Sequence, residues 1–177
     1  MFISWNSFKR RYDVCVVLGI VLFLAAFVAT SFALAEPGNT PRPEAVIVRA
    51  LGACAIAMLH AVLWIGPLAR LNSRFLAALY NRRHLGVLTF LVGLAHAVAS
   101  LGYYHGFGIV NPFVSLARFS PGVVPFEWLG VAALVILFSL AATSHDFWNR
   151  TLGPVGWKAL HISIYFCLLY TSDAADE

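Results

Sequence analysis

His96 stands in the middle of a run, residues 85–104, so apolar that it can only lie inside a bilayer, and an ionisable ring at that depth is costly unless something pairs with it. In an apolar helix bundle the commonest such partner is a metal or haem iron, bound through a neutral imidazole nitrogen. His161 follows Lys158 by about one helical turn near the end of the chain and gives a second candidate ligand on a different apolar segment. The plainer alternative for His96 is a hydrogen bond to a serine or a carbonyl on another helix.

Arg82 precedes His96 by 14 residues, which on a helix returns to nearly the same face about four turns away. That geometry suits two flat cofactors stacked along a bundle, with His96 serving the outer site and the inner end of the same face serving the inner one. A second outer ligand is expected 13 or 14 residues beyond His161, where the chain has Ala174 and Ala175, neither of which can ligate iron. His84 lies 12 residues before His96, about 120° round the helix; it either reaches an inner site from the interface or is a simple interfacial residue. His60, four residues before Trp64, either joins two helices through a hydrogen bond or adds a further ligand. Arg82 and Arg83 suit carboxylates such as haem propionates and equally suit the role of cytoplasmic anchors, and Lys158 shares that ambiguity. His105 and His145 fall in loops and are expected to be solvated, and Glu127 is expected to be an interfacial residue.

The elements that position these groups follow from composition. Of 177 residues 60% are hydrophobic and 11% charged, and the mean hydropathy is +0.80, so the chain is an integral membrane protein. The apolar runs are continuous rather than alternating, which excludes a barrel and requires an all-α, polytopic transmembrane helical bundle. Spans are expected at about residues 14–35, 45–67, 85–104 and 126–143, with a fifth at 157–170. That makes about five spanning helices with the last incomplete, because 15 residues reach only about 23 Å. A basic, aromatic leader at 2–12 precedes the first span, and a cleavable signal peptide is its rival. Residues 36–44, rich in proline, form an external turn, and 70–83 form a basic amphipathic connection on the inside.

Lys9, Arg10, Arg11, Arg70, Arg74, Arg82, Arg83, Arg150 and Lys158 fall on one side of these spans, and Arg42, Arg49 and Arg118 on the other. The richer side is cytoplasmic, which puts the N-terminus in the cytoplasm and makes the net charge of +4 a topology signal, with no nucleic-acid partner implied. Cys15, Cys54 and Cys167 lack the paired spacing of a zinc or redox motif and read as small buried hydrophobes. The abrupt acidic end after Tyr170 reads as a chain cut short. The expected organisation is a leader, first helix and turn at 1–44, a membrane domain at 45–170 and an unstructured or extraneous tail at 171–177.

The order Arg82-Arg83-His84-Leu85-Gly86, His96, Ala142-Thr143-Ser144, then Leu152-Gly153-Pro154-Val155-Gly156-Trp157-Lys158-Ala159-Leu160-His161 resembles the ferric reductase-like transmembrane domain family over about residues 45–170. The resemblance implies a bundle of about six helices holding haem b through histidines of the third and fifth core helices. It implies electron transfer from a cytoplasmic donor to an acceptor outside. Carried over by position, His96 is the outer-haem ligand of the third helix and His161 the inner-haem ligand of the fifth. The fifth helix's second histidine is missing, and Arg82 occupies the inner position of the third, as in one branch of the family. One or two haems are implied, with the outer site short of a ligand.

The chain carries no dinucleotide fingerprint, flavin domain or iron–sulfur cysteine pattern, so electrons are expected from a separate flavin or iron–sulfur protein or from a quinol. The expected location is the bacterial inner (cell) membrane, in contact with membrane lipid. Two readings from other classes stay open. One is a non-catalytic membrane anchor or assembly partner; the other is a small transporter using His60 and His96 as a proton relay.

Overall fold

In a hydrocarbon layer each backbone N–H and C=O must find its partner within its own segment, and the long apolar runs of this chain are accordingly helical. The computed structural model describes residues 7–36, 38–106, 111, 114–115, 126–144, 151, 153, 155–156, 158–160 and 162–165. The described residues include four long helices, α1 (Ser7–Ala33), α2 (Pro43–Leu71), α3 (Leu76–His105) and α4 (Phe126–Ala142), with a 3-10 turn at Ser73–Phe75 between α2 and α3. No strand occurs among the described residues. The protein is an all-α helical membrane protein, as its composition requires.

Among the described residues, three helices are long and apolar enough to cross a membrane, over Lys9–Ala33, Pro43–Leu71 and Ala78–His105. Helix α4 has 17 residues, about 26 Å, and is shorter than the usual crossing length. Of the expected fifth span, residues 158–160 and 162–165 are helical and the remainder lies outside the described residues. The tail at 171–177 is likewise outside them.

The connection expected over residues 70–83 is much shorter than that. Helix α2 runs to Leu71, Asn72 turns extended, and its side-chain Oδ1 accepts from the backbone N–H of Arg74 at 2.9 Å. This short-range cap starts the 3-10 turn, and α3 begins at Leu76. Leu76-Ala-Ala-Leu-Tyr contains no helix breaker, so Arg82, Arg83 and His84 sit within α3 rather than before it. At the other end of α2, Pro43 occupies the first turn, where its missing N–H costs nothing, and Glu44 lies at the positive end of the helix dipole. The turn between α1 and α2 needs Gly38, whose φ of 93° is open to few other residues.

The chain divides into two compact units, residues 1–92 and 93–177. In the first, Cys54, Met58 and Ile65 of α2 and Leu85 of α3 form a core on which Val16, Ile20 and Leu24 of α1 pack. The spacing of those three α1 residues is that of one helix face, and the opposite face exposes Val14, Val17, Leu18, Val21 and Leu22, as lipid contact requires. In the second unit α4 meets α3 at Gly93, where an added Cβ would lie 3.7 Å from Leu137 Cδ1. Hydroxyls within the helices bond to their own backbone: Thr30 to Ala26, Ser31 to Phe27, Thr89 to Leu85 and Ser139 to Val135, each donating to a carbonyl four residues back.

Candidate functional site

Helix α3 carries one face that differs from the rest of its surface. Arg82, Thr89 and His96 recur every seven residues, each step drifting only about 20° round the helix. Thr89 is 1% exposed and Leu85 is buried on the same side, whereas Val87, Leu91, Leu94 and Val98 form an exposed apolar stripe opposite. A guanidinium, a hydroxyl and an imidazole thus share the inward side of an otherwise lipid-compatible helix. His96 is partly buried, with Val92 and Gly93 one turn below it and the small Ala99 and Ser100 above. Arg82 is partly buried against α2, with Nη1 3.7 Å from where a Cβ on Gly66 would stand. Arg83 is exposed on α3.

His84 lies on another side of α3 and is turned toward α1. Its Nδ1 lies 3.2 Å from Oδ1 and 3.3 Å from Oδ2 of Asp13. One turn earlier on both helices, Lys9 Nζ sits 5.1 Å from the Tyr80 ring centroid, so α1 and α3 run parallel through two successive contacts. His60 is exposed on α2, and its Nδ1 lies 2.8 Å from the Ile56 carbonyl of its own helix. His161 lies outside the described residues, as does His145. In the helical residues around position 161, Ser163 donates to the Leu160 carbonyl at 2.7 Å and Ile164 is 2% exposed.

The expectation that His105 is a solvated loop residue is overturned. It ends α3 and is 9% exposed, with Nδ1 2.9 Å from Ser115 Oγ and Nε2 3.3 Å from Glu127 Oε1 in the first turn of α4. Glu127 is therefore the partner of a buried imidazole. Asp13 and Ser115 had no place in the sequence reading. An acid at the edge of the first apolar run was a usable signal for Asp13; nothing local marks Ser115.

Among the described residues no group of three or more histidine, cysteine, aspartate or glutamate side chains is arranged to hold a bare metal ion. Membrane-crossing helices bearing an imidazole on an inward face define a class, the polytopic helical membrane proteins with ligand-capable residues at bilayer depth. Residues 51–172 match the family described as ferric reductase like transmembrane component, and the chain belongs to that family. It is 31% identical over 131 residues to the protein-methionine-sulfoxide reductase heme-binding subunit MsrQ of Bordetella pertussis, covering 74% of this chain and 60% of that protein. The subunit of the same name from Brucella anthropi is 30% identical over 151 residues, 84% of this chain and 65% of the relative. That from Ralstonia nicotianae is 32% identical over 124 residues, 70% and 54% respectively. The chain thus matches about 60% of the length of these relatives. No solved structure matches it. His96, Arg82, His84, His60 and position 161 all fall inside the family-matched segment, whereas α1 with Asp13 precedes it.

Proposed function

We propose that this chain is a transmembrane haem b electron-transfer subunit that passes electrons from a cytoplasmic or quinol donor to an acceptor outside the cell membrane. The observation that carries the reading is the inward face of α3, where His96 lies in line with Thr89 and Arg82 inside the segment that matches the family. His96 would hold a haem at the outer site and His161 one at the inner site. Ala99 and Ser100, one turn from His96 on the same helix, are small, which supports a flat macrocycle lying against that face. Arg82 offers a planar pair of donors to a propionate at the inner end of the same face, and Arg83 stands beside it at the membrane surface.

Haem, when bound, supplies reversible one-electron chemistry at its iron. The protein's part would be to hold the ligating imidazoles in place, to surround the site with low-dielectric side chains and to offer guanidinium groups to the propionates. His84 and His60 belong to the same membrane domain, residues 45–170. Each has Nδ1 engaged, by Asp13 and by the Ile56 carbonyl, which fixes ring orientation as a second hydrogen bond does for ligating histidines. They stand as secondary ligand candidates. The electron donor is a separate flavin or iron–sulfur protein, or a quinol, and the excess of basic residues supports a cytoplasmic N-terminus and inner site in a bacterial inner membrane.

Purified protein in detergent is expected to show a Soret band that sharpens on reduction, and His96→Ala is expected to lose most of it. A colourless wild-type protein would support a scaffold role instead and end the proposal.

A further inference from the structure

His105 ends α3 with both ring nitrogens engaged. Its ring is buried, and Nε2 faces a carboxylate, which can only accept, so Nε2 carries hydrogen in both charge states of the ring. In the neutral ring Nδ1 then accepts from the Ser115 hydroxyl at 2.9 Å; in the charged ring Nδ1–H donates to the same oxygen. A hydroxyl serves both states by rotating about its own bond. No heavy atom has to move, and neither state leaves a buried ring nitrogen unpaired. The carboxylate of Glu127, 30% exposed, balances the charged ring and gives the proton a route to water.

The position of this pair matters because of what shares its helix. His105 follows His96 by nine residues, about 14 Å further along α3, and on the opposite face. It is therefore no alternative ligand for the His96 site, and only its charge is felt there. At that distance and an effective dielectric of about 20, one added charge changes proton affinity roughly five- to tenfold. Facing the ring are Glu127 from α4 and Ser115 from the intervening segment, while Tyr103 and Tyr104 precede it on α3 and pack edge-to-face on each other.

We propose that His105 with Glu127 is a proton-binding site linked to the redox state of the His96 level: its occupancy rises, by up to about half a proton drawn from the external solution, when an electron arrives there and falls back when the electron leaves. The balance is one electron in with up to about half a proton bound, then both released, so that the membrane interior carries less uncompensated charge. The inference rests on the haem reading of His96.

The test is a spectroelectrochemical titration of the purified haem-loaded protein between about pH 5.5 and 9. Because reduction raises the proton occupancy, the midpoint potential of the outer haem is expected to fall as pH rises and to level off at both ends. His105→Gln, whose amide can still bridge Ser115 and Glu127, is expected to abolish that fall while keeping the Soret band. Glu127→Gln, which removes the balancing charge, is expected to move the fall to lower pH. A wild-type potential independent of pH, or a fall unchanged in His105→Gln, overturns the proposal with the haem reading intact. A wild type without a Soret band removes the haem reading and this proposal with it.

Discussion

Two histidine–carboxylate pairs, one in each unit, use the same chemistry in different surroundings. In the first unit His84 is 33% exposed, meets Asp13 through one nitrogen, and joins α3 to a helix that lies outside the family-matched segment. In the second, His105 is 9% exposed, has both nitrogens engaged, and joins two parts of the matched segment, the end of α3 and the start of α4. The difference is one of consequence. A partly solvated pair can trade its partner for water, whereas a buried ring that loses its partner keeps the cost of desolvation.

The largest test of that contrast removes one partner from each pair. Glu127→Ala leaves a buried Nε2–H unpaired and is expected to destabilise the protein by about 2 kcal/mol, read as a lower unfolding temperature in detergent. A smaller effect probes the turn that releases the chain just past His105. A Cβ at Gly106 would stand 2.6 Å from the Gly102 carbonyl oxygen, so Gly106→Ala is expected to cost about 1–2 kcal/mol. Gly102→Ala, which meets nothing within 4 Å, is its neutral control. Asp13→Ala comes last, at under about 1 kcal/mol, and its effect is expected to shrink further in high salt, which screens partly exposed pairs. Equal losses for Glu127→Ala and Asp13→Ala would erase the distinction between the two pairs.

The extents of α2 and α4 were legible from apolar length alone, because in lipid the hydrophobic run and the helix coincide. The start of α3 was not. Its first turns, residues 76–83, mix leucine and alanine with two arginines, and a charge count reads such a mixture as a connection even where no residue breaks the helix. His105 was misjudged for a different reason: its burial depends on Ser115 and Glu127, 10 and 22 residues away, and no local pattern encodes that meeting. The periodic placement of Arg82 and His96 was readable, whereas the choice of Asp13 as the neighbour of His84 depends on how α1 lies against α3.

The threonines and serines that turn back on their own helices also bear on assembly. A rod whose hydroxyls are already satisfied can dissolve in oil by itself, before any neighbour is present. Where those rods meet later, these hydroxyls are already spoken for, and fit of shape, such as Leu137 seated at Gly93, does more to select the neighbour. Enlarging such a contact therefore threatens the order of the bundle more than deleting any one of these hydroxyls does.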